Sequence, residues 1–175
     1  MKNNIVSIAL RYAILVIIGI IFASTDILYT ILHPLTIYPV YFLLNIFYEA
    51  LISNSYIFVQ EIAIEIIPAC IAVSAYFLLV ILNLATPMPI KKRTYSLVFS
   101  VLLLLLLNIL RIFILSILLI NEAVYFDIVH KLLWYVLSIV IVVAVWFFTI
   151  YLFKIKDIPG YSDIRFLLES IKQGK

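Results

Sequence analysis

Residues 95–120 read YSLVFSVLLLLLLNILRIFILSILLI, an apolar run interrupted by three serines, Asn108 and Arg111. The hydrocarbon core of a bilayer is about 30 Å thick, and a helix needs roughly 20 residues to cross it. Backbone polar groups in lipid must bond within the segment, so such a run is a helix. Working outward, residues 66–85 and 132–153 meet the same condition. Residues 5–22 and residues 35–51, behind Pro34 and Pro39, read as two further spans. The first carries Arg11 and no small-residue cleavage site follows it, so it reads as a retained span rather than a signal peptide.

Composition points the same way. Apolar residues make up 67% of the chain, charged residues 12%, and the mean hydropathy is +1.27. Soluble domains run at roughly half apolar and a quarter charged. A soluble core of 175 residues cannot hide so much apolar surface. The expected fold class is therefore an all-α polytopic membrane protein, a bundle of about five transmembrane helices. A period-two stretch, Glu61 to Ile66, follows the polar Ser53-Asn54-Ser55 and predicts a short external β-like hairpin. Residues 1–158 form the membrane domain. Residues 159–175 form a cytoplasmic amphipathic tail, with Ser162 or Asp163 as cap and Ile164, Leu167, Leu168 and Ile171 on one face of an interfacial helix.

Orientation follows from charge. The 86–93 loop ends in Lys91-Lys92-Arg93, and Lys154, Lys156, Arg165, Lys172 and Lys175 follow the last span, so both regions read as cytoplasmic. Residues 52–65 and 121–130 carry Glu61, Glu65, Glu122 and Asp127, lack Lys and Arg, and face outward. The N-terminal third strains this scheme. Five spans put Met1 outside, whereas Lys2 and Arg11 favour the inside. No basic run suggests nucleic acid.

Ionisable groups inside spans are costly and point to function. Arg111 lies about nine residues from the outer end of its span, roughly 13 Å along the axis. No acid lies within the three clear spans to neutralise it. Asn108, one turn earlier, shares its face and can bond the guanidinium or its ligand. Cys70 is the only cysteine, which excludes an internal disulfide and a cysteine zinc cluster. It opens its helix just after Pro68, where the helix dipole favours a thiolate. Taken alone, such a thiol is usually an inert apolar group. His130 heads the last span on the same side, and an imidazole is the natural proton partner of a thiol. Asp127, three residues earlier, is placed to orient its ring. His33 reads as structural. Nucleophile, acid/base and cation on three successive spans are what cysteine acyl transfer needs. Metal and phosphate-loop chemistry lack their residues: two histidines, one cysteine and three widely spaced glycines. No cofactor is expected.

The order Glu65-Ile-Ile-Pro-Ala-Cys70, then Asn108-Ile-Leu-Arg111, then His130 resembles the exosortase/archaeosortase family over roughly residues 34–153. Its shortness is similar to the small archaeal members. The resemblance implies a membrane-embedded cysteine transpeptidase or protease. It also implies Cys70 as nucleophile, His130 as acid/base and Arg111 as oxyanion-stabilising cation. The implied substrate is an exported protein with a C-terminal motif, a transmembrane helix and a basic tail. A membrane lipid amine is the implied acceptor, at the outer face of the plasma membrane. Where many members follow the cysteine with Ser-Gly, this chain has Ile71-Ala72, which marks a divergent branch. Two other readings use the same residues: a membrane acyltransferase, and a non-enzymatic assembly subunit in which Arg111 pairs with a partner's carboxylate.

Overall fold

The structure, a computed structural model, describes residues 2–24 and 26–155. Helix α1 spans Lys2–Ser24 and α2 spans Ile27–Phe47. Three short strands follow: β1 (Ala50–Ser53), β2 (Tyr56–Val59) and β3 (Ile62–Glu65). Next come a one-turn helix α3 (Pro68–Ile71), α4 (Val73–Ala85) and the long α5 (Ile90–Ile120). The last span begins as α6 (Phe126–Leu132), continues through a π-helical turn (Leu133–Leu137) and ends as α7 (Ser138–Leu152).

Among the described residues, four helical segments are long and apolar enough to cross a membrane: Ile27–Phe47, Pro68–Ala85, Ile90–Ile120 and Phe126–Leu152. The count differs from the expected bundle of about five. Within α1 the described apolar segment is Tyr12–Phe22. Helix α1 packs on α4, where Phe22 and Phe77 meet at 5.4 Å between ring centroids.

The second span differs from its reading as well. Pro34 and Pro39 lie inside α2 rather than before it, and the chain leaves the helix at Tyr48. Each proline removes one N–H, which a membrane helix tolerates when its neighbours supply other partners. Residues 50 and 51, expected at the end of the span, belong to β1 instead. The Asn45 side-chain oxygen receives the Ala50 N–H at 3.2 Å and ties the two elements together.

The expected hairpin is a three-stranded antiparallel meander in the order β1-β2-β3. Two-residue turns join the strands, and the first residue of each, Asn54 (φ 53°) and Gln60 (φ 55°), sits in left-handed space. Asparagine tolerates that conformation well. Alternation puts Ile57, Val59, Ile64 and Ile66 into the core while Phe58, Ala63 and Glu65 face out. His33 bonds Ser55 at 3.1 Å, so it ties the first turn to α2.

Helix α5 organises the bundle and packs against α2, α4, α6 and α7. Its buried residues are Ser96, Ser100, Leu104, Asn108, Ile112, Ser116 and Ile120, one every fourth position. Four residues advance a helix by about 400°, so each step turns the buried stripe by about 40°. Over the length of α5 the stripe winds about two-thirds of the way round. That winding lets one helix face α4 and α7 on one side and α2 on another. The serines in the stripe permit close backbone approach, as small residues do between membrane helices. Leu102, Leu106, Leu110 and Ile114 form the opposite, exposed ladder. The proposed tail, residues 159–175, lies outside the described residues.

Candidate active site

The expected continuous helix over 66–85 is broken after Ile71. Ala72 takes φ 60° and ψ 40°, the left-handed region, and α4 restarts at Val73. Such a break strips main-chain carbonyls of their helical donors. Two side chains of α5 replace them. Asn108 Nδ2 donates to the carbonyl oxygen of Cys70 at 3.0 Å and to that of Ile71 at 3.3 Å. Arg111 Nη2 donates to the Cys70 carbonyl at 2.9 Å.

The other arm of the guanidinium reaches α7. Arg111 Nη1 donates to Ser138 Oγ at 2.8 Å, and Ser138 Oγ donates to the carbonyl of Leu133 at 2.9 Å. Leu133 opens the π-helical turn, whose i→i+5 pattern frees carbonyls from the regular ladder; such turns recur at functional sites. One relay of hydrogen bonds thus joins α7, Arg111 and the turn that carries Cys70. Among the described residues the guanidinium is held by these uncharged oxygens rather than by a carboxylate. Its Nε is buried without a partner.

A cavity of about 180 Å³ adjoins this relay. Cys70, Arg111 and His130 all line it, so the three residues singled out for acyl transfer face one space. Cys70 and His130 are each half-buried. The His130 ring lies 5.4 Å from the Phe126 ring, one turn earlier on α6. Glu65 lines the same cavity from the end of β3. Asp127 is exposed on the first turn of α6 and is not among the lining residues. Asn108 is also absent from that wall. It is buried and acts on the main chain beneath the cavity.

Outside the membrane spans, the Glu65 carboxylate accepts a hydrogen bond from the Tyr56 hydroxyl, its partner in the β2–β3 register. That bond, with the negative charge beside it, raises the Tyr56 pKa above its ordinary 10.0.

Sequence reasoning did not find Ser138, although a lone hydroxyl in an otherwise apolar stretch of the last span is a signal for it. Nor did it find the break at Ala72, where alanine gives no hint of positive φ. No family model matches the chain, and no match emerges among curated proteins or solved structures.

Proposed function

We propose that this chain is a membrane-embedded cysteine transpeptidase or peptidase of the exosortase/archaeosortase type. The observation that carries the reading is the convergence of Cys70, His130 and Arg111 on one cavity from α3, α6 and α5. In this reading His130 takes the thiol proton and the Cys70 sulfur attacks a peptide carbonyl carbon. The C–N bond breaks, His130 returns the proton to the leaving amine, and a thioester remains. An amine or water then attacks the thioester and regenerates the thiol. Arg111 places a cation on the cavity wall, where oxyanion charge develops. Two of its N–H donors are already committed within the chain.

The backbone adds support. Ala72 occupies the position where the family pattern has glycine, and its φ of 60° is a conformation glycine adopts at no steric cost. The departure in sequence is thus met by a glycine-like backbone. The four spans found among the described residues ease the topology. With these four, the segment before α2 and the segment after α7 share a side, so Lys2 and Arg11 join Lys91, Lys92 and Lys154. We assign that side to the cytoplasm, which puts the cavity at the outer face of the plasma membrane. The substrate is an exported protein with a C-terminal motif, a transmembrane helix and a basic tail, and a lipid amine is the acceptor. Co-expression with a tagged protein carrying such a C-terminus tests the reading. Cys70→Ala and His130→Ala are expected to insert normally and leave the tag uncleaved. Normal processing by Cys70→Ala would falsify it.

A further inference from the structure

Strand β3 is an edge strand, and its free edge faces the candidate site. The Ile66 N–H donates to the Ser55 carbonyl at 2.8 Å, and the antiparallel register continues with Ile64 opposite Ile57 and Ile62 opposite Val59. Main-chain groups in an antiparallel pair alternate in direction. The amides and carbonyls of Ile62, Ile64 and Ile66 therefore point to β2, while those of Ala63 and Glu65 point away from it. Among the described residues, no hydrogen bond takes up these outward groups. Residues 63–66, residues of α5 and α6, and Cys70 all line the same cavity.

An exposed strand edge invites another strand, and unpaired main-chain groups beside an apolar wall are costly. We propose that the β3 edge is a docking rail for the substrate's main chain, which adds to the sheet as a fourth strand between β3 and α6. This inference rests on the cysteine-enzyme reading and names its ligand class: an extended peptide, recognised through its backbone. Ala63 and Glu65 lie about 7 Å apart, the span of two extended residues, and together offer two donors and two acceptors. An extended peptide held there has its carbonyls beside Cys70. Side-chain selectivity then falls to the apolar lining, including Leu115, Leu119, Phe126 and Leu133. A free phosphate or a lipid headgroup has no use for alternating donors and acceptors, whereas a peptide matches them one for one.

The test uses the full-length protein in detergent and two alkylating probes with one reactive group: acetyl-tetra-alanine chloromethyl ketone and chloroacetone. The ratio of their rates on Cys70 is compared with the same ratio on free cysteine. A docked main chain is expected to raise the ratio at least tenfold, and backbone N-methylation of the peptide is expected to abolish the gain. Ala63→Pro removes one outward N–H and leaves the ladder to β2 intact, since edge strands accept proline there. It is expected to lower the ratio about fivefold, the worth of one hydrogen bond, whereas Ala63→Ser keeps it. A ratio equal to that on free cysteine, or one unmoved by N-methylation, overturns the rail. So does a shift from dimer to monomer in Ala63→Pro with no peptide advantage, which would assign the edge to a second copy of the chain. The enzyme reading fails separately: its sign is a chloroacetone rate unchanged by His130→Ala.

Discussion

Arg111 Nη2 donates to the main-chain carbonyl of Cys70 at 2.9 Å, a contact that spans 41 residues of sequence. The arginine that the family resemblance casts as an oxyanion-stabilising cation also holds the backbone that carries Cys70. Arg111→Lys retains the charge and loses the fork that reaches Cys70 and Ser138 together. It is expected to lose most of the activity and to unfold earlier on heating. An Arg111→Lys protein with full activity and an unchanged unfolding midpoint would refute the clamp.

Asn108 satisfies two carbonyls from one side-chain amide. Asn108→Leu preserves size and leaves the Ile71 carbonyl without a donor, at a cost of about 1–3 kcal/mol. Asn108→Asp offers no donor and is expected to be at least as destabilised. Denaturant or thermal unfolding in detergent measures both. Equal stability of Asn108→Leu and the parent would show that the amide contributes nothing.

Ala72 holds a conformation that costs an ordinary residue about 1–2 kcal/mol. Ala72→Gly relieves that strain and is expected to raise stability by roughly 0.5–1 kcal/mol, part of the gain being offset by the freer unfolded chain. Ala72→Val is expected to destabilise. The pair of unfolding midpoints decides the matter, because opposite signs are required.

Ser138 receives one arm of the guanidinium and passes a hydrogen bond to Leu133. Its replacement by alanine is expected to cost about 1.5–3 kcal/mol, the range for hydrogen bonds to charged groups. Ser138→Thr keeps the hydroxyl and is expected to recover most of the loss. Failure of threonine to outperform alanine would separate Ser138 from the relay.

Tyr56 and Glu65 predict a pH effect at the sheet. The folded pKa of Tyr56 lies above the ordinary 10.0, so the neutral phenol is favoured in the fold. The associated stability is fully present below pH 10 and is lost as pH rises through the raised value. Glu65→Gln removes the charge, and Tyr56 is then expected to ionise at lower pH. Ultraviolet difference titration, with Tyr56→Phe to isolate one tyrosine among the 12, reads the shift. An unmoved Tyr56 transition in Glu65→Gln would exclude the pairing.

The spans were legible because hydropathy over some twenty residues averages away local detail, as residues 95–120 illustrate. Their ends were not. Pro34 and Pro39 read as a boundary because proline usually ends helices, yet a packed membrane helix accommodates both. The period-two stretch before Cys70 announced a strand. The polar Ser53-Asn54-Ser55 before it announced a hairpin, but the strand Ala50–Ser53 was hidden, because its first residues read as the apolar end of the second span. Cys70, Arg111 and His130 were legible as ionisable or reactive groups in apolar surroundings, and the structure brings them to one cavity. Asp127 was placed by spacing alone and sits off that wall. The relay itself was not legible, because it depends on a left-handed alanine and a π-helical turn, and no residue type there demands either.

The break at Ala72 gives the site an order of assembly. The turn bearing Cys70 is fastened by Asn108, 38 residues later, and by Arg111, which is itself held by Ser138 a further 27 residues on. A chain emerging from the ribosome exposes its thiol before any of these fasteners has been made. The Cys70 turn therefore has no fastener until Asn108 and Arg111 have been made. The last fastening, through Ser138, waits for the final membrane segment, a delay written into the sequence order itself.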